Sequence, residues 1–197
     1  CATSIEDEVY IGTKENGIYS TTISVSSAIR NTMPAGPSRN NIFALQTTTT
    51  SLWAVYGDYD LFYNPYALES YGLSKYSESG WLNIPYEKVF GAKSMVRVTV
   101  NPTNENEVYA SSFFSGLLKV VNDVPNILFN QSNSGLETLT FLGPSYIDVR
   151  INGTAFDRTG NLWVTNSLVK NGLKSLSTSG QWQSYAMDKV IISIEKN

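Results

Sequence analysis

A short strand motif recurs four times in this chain, and that recurrence restricts the fold more than any other feature. Its clearest copy is Phe156-Asp157-Arg158-Thr159-Gly160-Asn161-Leu162-Trp163-Val164-Thr165, followed by Asn171-Gly172-Leu173-Lys174-Ser175-Leu176. Asp-Arg-Thr-Gly-Asn reads as a tight polar turn, because Gly and Asn tolerate positive φ. Leu-Trp-Val-Thr is rich in the aromatic and β-branched residues that fit a pleated surface. Weaker copies run Glu8-Val9-Tyr10-Ile11-Gly12-Thr13 to Gly17-Ile18, Ser51-Leu52-Trp53-Ala54-Val55 to Gly72-Leu73, and Glu107-Val108-Tyr109-Ala110-Ser111 to Gly116-Leu117. The aromatic anchors Tyr10, Trp53, Tyr109 and Trp163 are spaced 43, 56 and 54 residues apart. Such spacings are close to the roughly 40–50 residues of propeller blades.

The flanks repeat as well. A leading strand is expected before each later anchor, over Asn41–Leu45, Val96–Val100 and Ile147–Ile151, the last two alternating apolar and polar. Turns are expected over 46–50, 101–106 and 157–161. A closing strand follows each Gly-Leu strand: Trp81–Ile84, Asn126–Phe129 and Trp182–Tyr185. Two of these follow the near-identical turns Ser77-Glu78-Ser79-Gly80 and Ser177-Thr178-Ser179-Gly180. The first unit shows no clear leading strand. Four short strands per unit is the arithmetic of a β-propeller. The fold class is therefore all-β: a β-propeller or propeller fragment of about four blades of four antiparallel strands, with a sandwich or jelly roll as the alternative. The blade-like units are expected at about 1–38, 39–92, 93–144 and 145–188, in a single propeller region. Residues 189–197, with the apolar run Lys189–Ile194, would lead a further blade or close the ring on the first. An arc of a larger propeller is preferred over a closed ring. Only 66–71 offers room for a turn of helix.

Each blade buries its faces against its neighbours. The Trp or Tyr of the second strand is expected between adjacent sheets, so Trp163→Ala is expected to cost about 3–5 kcal/mol. The glycine before the third strand is expected to allow a sharp turn.

Composition removes several functions. There is no histidine, which excludes His-dependent nucleophiles and His-bound metals. Cys1 is the one cysteine, so no internal disulfide forms. It reads as the edge of a fragment, with a lipid-modified N-terminal cysteine as the alternative. A net charge of -3 gives no basic surface for nucleic acid. No apolar run reaches the roughly 18 residues of a membrane span, and no signal peptide is read, so targeting is expected to lie in a longer parent.

Three features carry functional readings. The first is the insertion between Trp53 and Gly72, 19 residues against seven to nine in the other units. Insertions in a repeat map to loops on one face, often the binding face. Tyr56, Asp58, Tyr59, Asp60, Tyr63 and Tyr66 are the candidate interaction residues, suited to protein contact or sugar stacking; alternatively the tyrosines pack on the neighbouring blade. The second is the loop Asn101–Glu107, whose Asn104, Glu105, Asn106 and Glu107 offer oxygens for Ca²⁺, although Pro-Asn-Glu turns are common and no EF-hand spacing is present. The third is Asp148 with Arg150 and Arg97, expected to pair or to line the wall of a central channel. No catalytic, cofactor-binding or metal residue is assigned.

At its four anchors the chain resembles the two-component-regulator propeller repeat: Asn161-Leu162-Trp163-Val164-Thr165 leading to Gly172-Leu173, with a weaker copy at Val9–Thr13 leading to Gly17-Ile18. Longer stretches resemble the propeller region of PorZ-like proteins of the type IX secretion system. These are Gly36–Leu45, Asn106–Lys119 and Asn161–Tyr185. The resemblance implies an extracytoplasmic protein of Bacteroidetes-type bacteria, at the outer-membrane-associated cell surface or in the periplasm. It implies a non-catalytic scaffold in a complex that processes secreted cargo and attaches it to anionic lipopolysaccharide. Its partners would be a cysteine-peptidase sortase, outer-membrane β-barrel components and the lipopolysaccharide itself. The alternative is the glycan-sensing propeller of a hybrid two-component sensor. The PorZ-like resemblance implies two propellers and a small C-terminal β-domain, of which this chain would hold part of one propeller. No functional residue transfers position by position.

Overall fold

The computed structural model of the chain describes residues 1–14, 16–23, 28–33 and 35–187. These residues form sixteen strands in four antiparallel sheets, each sheet built from four consecutive strands in the order of the chain. The first holds β1 (Ala2–Ile5), β2 (Glu8–Gly12), β3 (Ile18–Thr22) and β4 (Arg30–Thr32). The second holds β5 (Ala44–Thr47), β6 (Ser51–Val55), β7 (Leu73–Ser77) and β8 (Gly80–Ile84). The third holds β9 (Met95–Asn101), β10 (Asn104–Ser112), β11 (Gly116–Val121) and β12 (Val124–Phe129). The fourth holds β13 (Ile151–Phe156), β14 (Leu162–Asn166), β15 (Leu173–Leu176) and β16 (Trp182–Tyr185). The first strands β5, β9 and β13 lie beside one another, which sets the sheets side by side like blades. This is the expected propeller architecture.

Every anchor lies on a second strand, in the same register. Trp53 pairs with Lys75, Tyr109 with Lys119, Trp163 with Ser175 and Tyr10 with Ser20. Strand alternation then gives each sheet an aromatic face and a β-branched or small face. Trp53, Val55 and Leu73 of the second sheet pack against Val98, Val108, Ala110, Leu118 and Val120 of the third. Tyr109 and Leu117, on the other face of the third sheet, pack against Ile151, Leu162, Val164 and Leu176 of the fourth. The first sheet contributes to neither cluster. Its connector is tied to the second sheet by Ser38 N donating to Ser74 Oγ (3.1 Å) and Asn83 Nδ2 donating to the Gly36 carbonyl (3.1 Å).

Several local expectations need correction. The first unit does have a leading strand, β1, pairing with β2 from Ala2↔Ile11 to Ile5↔Glu8. The second leading strand is displaced to Ala44–Thr47, leaving a turn at 48–50, and the turn after β9 is confined to Pro102-Thr103. The fourth is Ile151–Phe156, not Ile147–Ile151. Residues 148–149 hydrogen bond to connector segments instead of to β14. Val149 N donates to the Phe114 carbonyl, Leu139 N to the Asp148 carbonyl, and Asp148 N to Thr138 Oγ1. No helical turn forms at 66–71; a short 3-10 turn occurs at Tyr86–Lys88. Trp163 does not lie between two of the described sheets. It is half-buried, stacked on Tyr185 at 5.2 Å, on the side of the fourth sheet facing away from the third. The run Lys189–Ile194 lies outside the described residues.

The two matched Ser-x-Ser-Gly turns take one form. Ser77 Oγ meets Ser79 Oγ, and Ser177 Oγ meets Ser179 Oγ, both at 2.8 Å.

Candidate functional site

In a meandering four-stranded sheet, the link from second to third strand lies at the same end as the connectors between sheets. The long insertion between β6 and β7 is such a link. It therefore shares its end of the molecule with the connectors 85–94 and 130–150. Both of its ends are anchored to the chain just before and at the start of β9. Gly57 N donates to the Met95 carbonyl at 2.8 Å, and Ser94 N donates to the Glu69 carbonyl at 2.7 Å.

Between these anchors the six candidate residues divide by role. Tyr56 is a correction: it is buried, and its hydroxyl donates to Ser74 Oγ at 2.5 Å, inside the second sheet. Tyr59 is the keystone of the insertion. Its ring packs against Phe43 and Phe113 at 5.0 Å and Tyr63 at 5.3 Å, and its hydroxyl accepts from Asn152 Nδ2 at 3.4 Å. It thus joins the second, third and fourth units, which is the packing alternative for the insertion. Asp60 shapes a turn: its Oδ1 accepts from Phe62 N at 2.8 Å and from Asn64 N at 3.0 Å. Asp58 is exposed. Tyr63 and Tyr66 are exposed, with Tyr66 edge-on to Phe114 at 6.2 Å and Phe114 edge-on to Tyr146 at 6.3 Å.

Arg150 pins this turn from the fourth unit. Its Nη1 donates to the Tyr63 carbonyl at 3.3 Å, and its guanidinium lies 5.6 Å from the Phe113 ring centroid. Asp148 holds Arg150 in place through contacts of 2.9–3.1 Å, so these two residues pair as expected. Burial pushes the Asp148 carboxyl upward against the opposing pull of Arg150. Burial and the neighbouring Asp148 charge also raise the Tyr66 hydroxyl. Arg97 stays exposed on β9.

The pinned turn holds Leu61 and Phe62 at its tip, 95% and 88% exposed. Neither is among the candidate residues named from the sequence, although an apolar pair directly after a turn-forming Asp in a polar insertion is a readable signal. The links and connectors at this end of the sheets also expose Phe90, Phe141, Leu142, Ile147 and Leu168. A single exposed apolar residue needs no explanation, whereas contiguous apolar patches are the feature associated with interaction surfaces.

In the Asn101–Glu107 loop, the side-chain oxygens of Asn101, Asn104, Glu105 and Glu107 bond to protein partners. Glu105 accepts from Thr49 N and Oγ1 (3.1 and 2.6 Å) and from Thr50 Oγ1 (3.1 Å), clasping the β5–β6 turn. Those bonds, led by the Thr49 hydroxyl, hold its carboxyl down at about 2. Glu107 accepts from the Tyr109 hydroxyl and pairs with Lys119. Asn101 and Asn104 cap their own turns.

No family model matches the chain, and no curated protein matches it. Among solved structures it is similar to PorZ, described as an essential bacterial surface component of the type-IX secretion system of Porphyromonas gingivalis. The TM-score is 0.73 at 18% identity, over 91% of this chain and 24% of that one. It is also similar to the extracellular domain of a hybrid two-component system from B. thetaiotaomicron, with TM-score 0.48, 12% identity, and coverage of 91% and 22%. An ancestral GH74 enzyme aligns with TM-score 0.42, 17% identity, and coverage of 93% and 23%. The chain spans about a quarter of the PorZ chain. The likeness to PorZ expected from the sequence holds at the level of the propeller fold.

Proposed function

We propose that this chain is part of a non-catalytic, extracytoplasmic propeller scaffold, and that it docks a protein partner of a type IX secretion surface complex. Docking uses the end of the molecule where the β6–β7 insertion stands. The observation that carries the reading is the Leu61-Phe62 tip. It is held out in solvent by a turn fixed at Asp60, Tyr59 and Arg150. An apolar tip on a pinned turn loses little conformational freedom on binding, which favours affinity. The fold likeness to PorZ, a surface component of a type-IX secretion system, is compatible with this reading, and the candidate partners are those the sequence resemblance implies: a sortase-type cysteine peptidase, outer-membrane components and anionic lipopolysaccharide at the outer-membrane-associated surface.

Two of the acids at the insertion serve structure, which supports the non-catalytic part of the reading. Asp148 is paired with Arg150, and Asp60 caps a turn. The test is co-purification from surface extracts with wild-type chain and with Leu61→Ser/Phe62→Ser as bait. Sortase-complex components are expected with the first and not the second. The alternative of glycan sensing draws on the exposed Tyr66 ring beside Phe114. Calorimetric titration with a glycan panel showing saturable heat that Tyr66→Ala abolishes would decide in its favour.

A further inference from the structure

The boundary between the second and third sheets and the boundary between the third and fourth follow one plan, and they differ at one ion pair. Lys75 and Lys119 occupy the same register position, opposite Trp53 and Tyr109. Each holds its ammonium over that ring, 5.4 and 5.6 Å from the centroid. Lys75 then crosses to the third sheet and donates to both carboxylate oxygens of Asp123, in the β11–β12 turn, at 2.7 and 3.0 Å. Glu105 bridges the same two sheets through Thr49 and Thr50.

The matching turn of the fourth sheet is Ser177-Thr178-Ser179-Gly180-Gln181, which carries no acid. Lys119 stays on its own sheet and pairs with Glu107 at 3.3 Å, the two side chains 24% and 22% exposed. The Tyr109 hydroxyl donates to the other oxygen of Glu107 at 2.7 Å and steadies that carboxylate. A cleft of about 310 Å³ remains at this boundary, at the lower end of the range of small-molecule sites. Glu107 and Lys119 supply its charges, and Phe129, Phe156 and Leu162 supply apolar surface.

An ammonium carries three donors, so Lys119 keeps capacity for a second acceptor. An anion alone would meet the Glu107 carboxylate, and a cation alone would meet the Lys119 ammonium. A ligand with both charges side by side complements the pair. We infer that this cleft binds a small zwitterion, an α-amino acid with an apolar side chain. Its carboxylate accepts from Lys119 as Asp123 accepts from Lys75. Its ammonium donates to Glu107, and its side chain lies against Phe129, Phe156 and Leu162.

Nitrogen–proton correlation spectra of the full 197-residue chain, titrated with L-leucine, test the inference. Saturable shifts in the millimolar range are expected, centred on Glu107, Tyr109, Lys119, Gly160 and Thr178. N-acetyl-L-leucine lacks the ammonium and L-leucinamide lacks the carboxylate. Each loses one charge-assisted contact and is expected to bind about tenfold more weakly or worse. Lys119→Met is expected to abolish the shifts, whereas Lys75→Met, at the bridged boundary, keeps the leucine affinity. Should Lys119→Met unfold by circular dichroism, Thr178→Trp replaces it, because a bulky side chain on that turn fills the cleft and leaves the ion pair in place. The inference is overturned if leucine gives no saturable shifts, or if they centre elsewhere in the chain. It is equally overturned if either blocked form binds as well as leucine, or if Lys119→Met and Lys75→Met affect binding alike. Saturation by glucose and not by leucine also overturns it, and assigns the cleft to a neutral polyol.

Discussion

Gly116→Ala tests the physical reason for the glycine in this repeat. Gly116 opens β11 at φ +109°, a conformation that L residues rarely adopt. A Cβ there stands 2.1 Å from the Phe129 carbonyl oxygen, at the end of β12, and 3.2 Å from the Phe129 carbonyl carbon. Gly72 meets the same obstacle, since its Cβ lies 1.8 Å from the Ile84 oxygen at the end of β8. The glycine therefore does more than allow a sharp turn; it lets the third strand press against the end of the fourth. The obstacle is backbone on both sides, so no side-chain rotation relieves it. Backbone strain of about 1–3 kcal/mol adds to overpacking of about 1–3 kcal/mol. The expected loss is about 4 kcal/mol, or roughly 10 °C in Tm for a chain of this size. Gly172 is the internal control. Its φ is not in the positive region, and the nearest atom to its Cβ is the Asn166 oxygen at 3.5 Å. Gly172→Ala is expected within about 0.5 kcal/mol of wild type. Urea and thermal unfolding followed by tryptophan fluorescence measure both. The reasoning fails if Gly116→Ala melts within two degrees or so of wild type, or if Gly172→Ala falls as far.

Other consequences follow from particular contacts. Because the folded Glu105 carboxyl is held at about 2, below its ordinary 4.5, its contribution is full above pH 4.5 and is lost as pH falls toward 2. Tm against pH should show wild type above Glu105→Gln at neutral pH, with the gap closing across that window. Arg150→Ala leaves the buried Asp148 without its cation, at a cost of about 3–5 kcal/mol, and frees the Tyr63 carbonyl. Limited proteolysis is then expected to cut at 60–64 first, with wild type resistant there. Lys174 is fully buried, pairing with Glu137 and donating to Ser184 Oγ at 3.0 Å. Lys174→Ala is expected to cost about 2–3 kcal/mol by chemical denaturation, less than a fully buried pair because Glu137 is partly exposed.

The blade frame was legible because it is written in two chemistries that repeat: an aromatic on the second strand and a glycine before the third. The closing strand Trp182–Tyr185 falls where it was expected. What escaped was structure whose sequence signal is weak or shared. The strand Ala2-Thr3-Ser4-Ile5 carries one large apolar residue, and all four of its residues are exposed. The alternation of 147–151 reflects side chains that do alternate, with Val149 buried, but the segment's backbone bonds to connectors. Nothing in the sequence ties Lys174 to Glu137, 37 positions away. Trp163, the best copy of the motif, owes its half-exposure to the absence of a next sheet among the described residues. No sequence pattern encodes that. In the insertion, tyrosine content pointed to the correct loop. The distinction between Tyr59, which packs, and Leu61 and Phe62, which project, depends on the turn made by Asp60.

The proposed role of the pinned insertion is to dock a partner at the cell surface through its apolar tip. The most direct measurement places a photo-crosslinking amino acid at Phe62 and, as control, at the exposed Thr178 at the opposite end of the sheets. Irradiation on intact cells, followed by mass spectrometry, is expected to join Phe62 to a sortase-type cysteine peptidase or an outer-membrane component, with no such product from Thr178. Equal products from both positions, or none from Phe62, would contradict the account.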